Sequence, residues 1–120
     1  MREETFEIIK DRVIKYVEWE LTSCDPLSIF GEWIKRHRKI SELPSFKEII
    51  DLPILFIRTV KNVTDQLKEE LSDDDEFWSL SEEDRNFIIV GIIKTNRARL
   101  KEIYEIFLGN FKIILEFSNH

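Results

Sequence analysis

The sequence predicts an all-α protein, a compact bundle of five to six helices around a long helix at about residues 81-108. Apolar side chains recur at three- and four-residue steps along most of the chain, which is the spacing of one face of an α-helix. The 120 residues include only three glycines and three prolines, too few for the tight hairpins of a β fold. A chain of this length fits one domain, 1-120, that needs no disulfide or metal to hold its core.

Two helices are predicted in the first third of the chain. The first runs over residues 3–21, with apolar side chains along one side. Asp25 and Pro26 have the pattern of an N-cap followed by proline at the first helical position, which predicts a second helix through Phe30. This helix ends in the basic run 35–39, and such a run is favourable there because the C-terminal end of the helix dipole is negative.

The middle of the chain contains a capping box and a proline break. Ser45 and Glu48 have the Ser-x-x-Glu spacing, which predicts a short helix from Phe46. Because proline disfavours a helical residue before it, Pro53 predicts a break and a new helix over residues 53–71. The predicted buried stripe of that helix is Phe56, Val60, Val63, Leu67 and Leu71.

The long helix has a strong start signal in Ser81, an N-cap followed by three acidic residues that suit the positive end of the helix dipole. Asn96 lies on its apolar stripe and is predicted to be a hydrogen-bonded core amide. Gly91 favours close approach of another backbone, with local looseness as the alternative. Gly109 and Asn110 predict the end of the helix.

The C-terminal segment 111–117 fits two conformations. As a helix it places Phe111, Ile114 and Leu115 beside Phe107. As a strand it places Phe111, Ile113, Leu115 and Phe117 on one face. The helix is favoured because no other strand is predicted, so a strand here would need a second chain to satisfy its backbone groups.

The charges are strongly segregated along the chain. Residues 69–84 carry nine acidic side chains and no basic one, whereas the other 104 positions hold 18 basic and 15 acidic residues, a balance of +3. The net charge of −6 therefore conceals a mildly basic chain with one acidic connection.

Catalytic chemistry has little support in the sequence. The histidines are His37 and the terminal His120, and Cys24 is the single cysteine, so a catalytic triad or dyad would have to be built from these. No metal, phosphate-loop or dinucleotide motif is present. We therefore expect no enzyme activity, no catalytic residue, no cofactor, no metal and no small-molecule substrate. The absence of a membrane span, of a signal peptide and of paired cysteines predicts a soluble cytoplasmic protein.

Basic residues form the first candidate surface, with the capacity to bind phosphates in a salt-sensitive way. The alternative is an ordinary solvated face, or ion pairing with the chain's own acidic segment. The candidate anion or nucleic-acid contacts are Lys35, Arg36, Arg38, Lys39, Lys94, Arg97 and Lys101.

Apolar residues form the second candidate surface. Phe77 and Trp78 stand beside four carboxylates, a pattern typical of peptides that dock into apolar, basic grooves, although folding back onto the bundle is favoured. The candidate partner contacts are Phe77, Trp78, Phe111, Ile114, Leu115 and Phe117. The sequence therefore predicts a nonenzymatic interaction module, an adaptor, regulator or complex subunit that forms a dimer or larger assembly through its C-terminal region. Nucleic-acid association through residues 35-39 and 94-101 is the alternative.

Overall fold

The computed structural model describes residues 1–37 and 42–118, and these residues confirm the predicted all-α fold. Within those ranges there is no strand. The described helices number seven, where five or six were predicted. They are α1 (Glu3–Thr22), α2 (Ile29–Arg36), α3 (Phe46–Ile50), α4 (Pro53–Glu70), α5 (Asp75–Ser79), α6 (Glu82–Thr95) and α7 (Arg97–Ser118).

The bundle is organised around α1 and not around the predicted long helix. α1 packs against α2, α4, α6 and α7. Ile9, Val13 and Val17 follow one another at four-residue steps along α1 and are fully buried. The predicted centre was 81-108, because that segment was expected to form one long helix with an apolar stripe, but the segment is divided in two and leaves Phe87 and Ile106 exposed.

A break at Asn96 divides the predicted long helix into α6 and α7. Asn96 has φ −106° and ψ 17°, outside the helical region, and caps the C-terminus of α6. Its side-chain amide donates to the Ile92 carbonyl at 2.8 Å, the same oxygen that accepts its backbone N–H. Asn96 is therefore a half-exposed helix terminus and not a core amide, because its side chain competes with the backbone for that carbonyl.

The predicted helix stop at Gly109 and Asn110 is wrong, because α7 continues through both residues to Ser118. The helical interpretation of 111–117 is confirmed and the strand is excluded. Close packing at Gly91 is also contradicted, since a Cβ added there would meet no atom within 4 Å. Neither glycine has a positive φ, so neither is required by the backbone conformation.

The second helix begins later than predicted, at Ile29, with Ser28 as its N-cap. Ser28 Oγ accepts from the Gly31 amide at 2.9 Å. Asp25 instead closes the preceding turn, where its Oδ1 accepts from the Leu27 amide at 2.8 Å and its carbonyl accepts from the Ser28 amide at 2.9 Å. The predicted N-cap at Asp25 is wrong. Asp25 and Ser28 are both of the type that caps a helix and lie three positions apart, and Asp25 forms the turn while Ser28 caps α2.

The capping box of α3 and the proline start of α4 are confirmed, but the buried face of α4 differs in its first half. Leu55 and Thr59 are buried there, whereas Phe56 and Val60 are half-exposed. The Thr59 hydroxyl is accommodated inside because it donates to the Leu55 carbonyl at 2.7 Å.

Candidate interaction surface

The inner face of α7 attaches this helix to the bundle. The rings of Phe107 and Phe111 meet Phe30 of α2 edge-on, with centroids 5.0 and 5.3 Å apart. Tyr104 is fully buried, and its hydroxyl donates to the Pro44 carbonyl at 2.6 Å. Burial raises the pKa of Tyr104, so the phenol keeps its proton and remains a donor. The first half of α7 is therefore held firmly in place.

The outer side of α7 leaves large apolar side chains in solvent. Ile106, Ile113 and Phe117 are 60, 52 and 76 % exposed. At 100° per residue they share one stripe, about a third of a turn round the helix from the inner face. The stripe cannot reach the core because the inner face already contacts it. We call these three residues the outer stripe.

Some of the predicted partner contacts are exposed, and others are covered by the bundle. Ile114 and Phe117 are exposed, and Phe111 and Leu115 are half-buried. Phe77 is only 1 % exposed and belongs to the core, so the prediction that it contacts a partner is corrected in favour of folding back. Its burial is favourable because each apolar ring removed from water stabilises the fold by about 1.5–3 kcal/mol.

Trp78, the other ring of that pair, is half-buried beside Phe77 and also folds back. Its indole N–H donates to the Leu71 carbonyl at 2.6 Å, and the guanidinium of Arg85 lies 5.2 Å from its ring centroid. The hydrogen bond satisfies the indole N–H, and the guanidinium covers one face of the ring. Trp78 therefore serves the end of the bundle more than an outside partner.

The acidic segment closes over the start of α1, where three of its carboxylates have partners. Asp74 Oδ2 accepts from the Thr5 hydroxyl at 2.5 Å, and Oδ1 accepts from the Phe77 amide at 2.9 Å. These two bonds lower the pKa of Asp74 because they favour its charged form. Glu76 lies 2.6 Å from the N-terminal amine, and Glu70 accepts from Arg12 at 2.7 Å.

Three of the predicted phosphate contacts pair with carboxylates elsewhere in the chain. Arg97 binds Asp51 with two nitrogens, at 2.7 and 3.2 Å, and these bonds lower the pKa of that carboxyl. Arg36 lies 2.7 Å from Glu32, and Lys101 lies 4.0 Å from Glu105. A phosphate would have to compete with these pairs.

The remaining predicted phosphate contacts divide between exposed and undescribed positions. Lys35 and Lys94 are exposed, on α2 and α6. Arg38 and Lys39 lie outside the described residues, as does His120. Among the described candidates, Lys35 and Lys94 are thus exposed lysines on two different helices.

A buried charge at the junction of α1, α2 and α4 was not predicted from the sequence. Glu20 is fully buried, its Oε1 accepts from the Ile29 amide at 3.2 Å, and its Oε2 lies 3.0 Å from Nε of Arg58. Although the ions are close, no donor is aligned well enough on Oε2 to count as a hydrogen bond. Nothing in the sequence around Glu20, which follows Trp19 on an amphipathic helix, indicates that its side chain faces inward.

The buried Glu20 carboxyl has a raised pKa, because desolvation outweighs the attraction of Arg58. The folded state therefore holds this proton more tightly than the unfolded chain does. Its contribution to stability is present at low pH and is lost as pH rises through the raised pKa. Arg58 also donates to the Leu27 carbonyl in the turn before α2, so Glu20 and Arg58 together connect α1 and α4 with the start of α2.

A groove between α4, α5 and α6 was also missed by the sequence. It has a volume of about 650 Å³, and its floor includes Phe56, Val60 and Trp78. Lys61, Lys68 and Arg85 stand along it with Asp65 and Glu82, so its rim carries both signs of charge. A groove was not expected there, because Phe56 and Val60 were assigned to the buried stripe of α4.

Cys24 and His37 are among the residues from which a catalytic site would have to be built, and both lie within the described residues. Across 1–37 and 42–118, no three His, Cys, Asp or Glu side chains gather to hold a metal ion. Desolvation by neighbouring atoms raises the pKa of the Cys24 thiol, which disfavours the reactive thiolate. His37 stacks on Trp33 with ring centroids 4.3 Å apart, and its Nδ1 lies 3.2 Å from the Trp33 carbonyl oxygen.

No family model, curated protein or solved structure matches this chain. Among the helices described, none is both long and apolar enough to cross a bilayer. The surfaces described above, and the outer stripe in particular, are therefore what a functional proposal has to explain.

Proposed function

We propose that this chain is a small nonenzymatic interaction module, an adaptor, regulator or complex subunit, that self-associates through the C-terminal part of α7. The observation that carries the proposal is the outer stripe, three large apolar side chains exposed on a helix whose inner face is fixed to the bundle. Contiguous exposed apolar side chains are unfavourable in water and mark contact sites.

The buried polar groups support a role without catalysis, because each of them serves the fold. Glu20 and Arg58 link α1, α2 and α4, Ser28 caps α2, and Thr59 bonds within α4. A catalytic group needs an open position for a substrate, whereas these groups contact other parts of the same chain. These polar groups therefore have partners within the fold, which supports a structural role for them.

Sedimentation velocity over a hundredfold range of protein concentration tests the proposal. We expect the weight-average mass of the unmodified chain to rise with concentration. The double variant Ile113→Ser/Phe117→Ser is expected to remain monomeric because it removes two thirds of the outer stripe. The matched control is Phe87→Ser, which removes a ring that is 79 % exposed on α6 and is expected to leave association unchanged.

Two outcomes contradict this proposal. One is a chain that is monomeric throughout the concentration range. The other is an equal loss of association in Phe87→Ser, which would indicate nonspecific hydrophobic association rather than a contact through α7. Circular dichroism of every variant confirms that its helices are retained.

Phosphate binding through the basic residues is the alternative, and it is less well supported because Arg36, Arg97 and Lys101 have carboxylate partners. Fluorescence anisotropy with labelled single- and double-stranded DNA and RNA, at low and moderate salt, distinguishes the two. Salt-sensitive binding that is lost in Lys35→Gln/Lys94→Gln would favour the alternative.

A further inference from the structure

The outer stripe belongs to a longer pattern that has the spacing of a coiled-coil seam. Ile103, Ile106, Asn110, Ile113 and Phe117 follow one another at steps of three, four, three and four residues. This spacing is the a and d pattern of a heptad repeat, with Ile103, Asn110 and Phe117 at the a positions. All five lie in α7, and four of them are exposed, with Ile103 half-buried at the edge of the bundle.

We infer that two copies of this chain pair through α7 as a parallel, in-register two-stranded coil in which Asn110 faces Asn110 of the second copy. The inference rests on the proposed self-association and names its geometry. A carboxamide both donates and accepts, so an asparagine at an a position is satisfied by its own copy in a parallel pair. In an antiparallel pair the a positions face d positions, and Asn110 would be buried against isoleucine with its amide unpaired.

Gly109 fits this arrangement. It occupies the g position beside the seam, where a parallel pair places it against Ile114 of the second copy. A Cβ at Gly109 would meet no atom of its own chain within 4 Å, so the bundle itself gives no reason for a glycine inside α7. An exposed Ile114 from the second copy would occupy the space that the missing side chain leaves.

The charge distribution also favours a second copy as the occupant. Residues 97–118 carry four basic and three acidic side chains, whereas the whole chain has a net charge of −6. Two copies that meet along α7 therefore avoid the mutual repulsion of their acidic segments. The seam covers two heptads, about 21 Å of helix, so we expect a weak, concentration-dependent dimer.

Disulfide trapping distinguishes the register, in a Cys24→Ser background because Cys24 is exposed. In a parallel pair, Phe117→Cys lies opposite itself, and oxidation is expected to yield a covalent dimer from this single variant. In an antiparallel pair that matches four residues of the seam, residue 117 is offset from its own copy by about 16 Å or more, beyond the ~7 Å that a disulfide spans. Only a mixture of Ile106→Cys and Phe117→Cys chains would then cross-link.

The second measurement is the dissociation constant of Asn110→Leu. A polar a position weakens a coiled coil, so this variant is expected to associate at least tenfold more tightly if Asn110 faces its copy. Cross-linking in the mixture only, or unchanged affinity of Asn110→Leu, would overturn the parallel register and leave the proposed self-association intact. A chain that sediments as a monomer at every concentration would overturn both.

Discussion

The space around the glycines differs between two regions of the molecule. One region is the junction of α1, α2 and α4, and the other is the outer side of α6 and α7. At the junction, an added Cβ on Gly31 would lie 1.9 Å from the Asp25 carbonyl oxygen, so this position excludes any side chain. In α6 and α7, a Cβ on Gly91 or Gly109 would meet nothing within 4 Å. The fold requires the first glycine and makes no use of the other two.

The same two regions also differ in which residues are buried and which are exposed to solvent. The junction buries a carboxylate, Glu20, and gives it Arg58 as a partner, whereas α6 and α7 leave Phe87 and Phe117 in solvent. Contacts within the chain thus explain the unusual residues of the junction. The exposed rings of α6 and α7 have no such explanation within the chain, and for α7 the proposed contact with a second copy supplies one.

The largest expected effect is at the junction, in Arg58→Met. Removing the guanidinium leaves Glu20 buried without its ion partner, and breaking a buried pair in this way costs about 3 kcal/mol of unfolding free energy. Urea denaturation followed by circular dichroism measures it. Lys61→Met, on the exposed side of the same helix, is the control and is expected to change stability by less than about 0.5 kcal/mol. Equal effects in the two variants would remove the distinction drawn for the junction.

Gly31→Ala is expected to have the next largest effect. The new methyl group would collide with the Asp25 carbonyl, and the turn that leads into α2 would have to open. Overpacking of this kind costs about 1–3 kcal/mol, and we expect the upper part of that range because the obstacle is backbone. Thermal unfolding at one protein concentration measures the loss. An alanine variant as stable as the original chain would show that the turn yields easily.

Local signals predicted much of the fold. The capping box of Ser45 and Glu48, the N-cap Ser81 and the proline start of α4 act within one helical turn, and all three are confirmed. Errors arose where two local signals competed. Asp25 and Ser28 both resemble N-caps, and only the turn between them decides which one begins the helix.

The remaining errors depend on contacts between distant residues, which spacing alone does not reveal. The burial of Glu20 depends on Arg58, 38 positions away in the sequence, and the extension of α7 past Gly109 has no local signal. For the candidate surface, the sequence correctly indicated that Ile114 and Phe117 lie on a helix, and it missed that Ile106 and Ile113 are exposed beside them. Which side of an apolar helix faces the bundle is decided by the neighbouring helices.

Tyr104→Phe sharpens the comparison within α7, because it tests the inner face of the same helix. The Pro44 carbonyl would lose its donor in a buried place, at an expected cost of about 1.5 kcal/mol. Tyr16→Phe is the control, since Tyr16 is less buried and its hydroxyl accepts from Asn62 at 3.0 Å near the surface. Urea midpoints of the two variants measure the difference. A smaller loss in Tyr104→Phe than in Tyr16→Phe would mean that the inner face of α7 holds the bundle less firmly than its burial indicates.

The smallest expected effect has the opposite sign. Gly91→Ala should raise the free energy of unfolding by about 1 kcal/mol, because alanine favours the helix and the added methyl group finds open space. Thermal unfolding beside Gly31→Ala checks that the same substitution stabilises one region and destabilises the other.

In dilute solution Gly109→Ala should behave like Gly91→Ala. If α7 pairs with a second copy, the gain at Gly109 should shrink as the protein concentration rises, because the methyl group then occupies space needed by the partner. A gain at Gly109 that is independent of concentration would separate helix propensity from assembly and count against Gly109 as part of the seam.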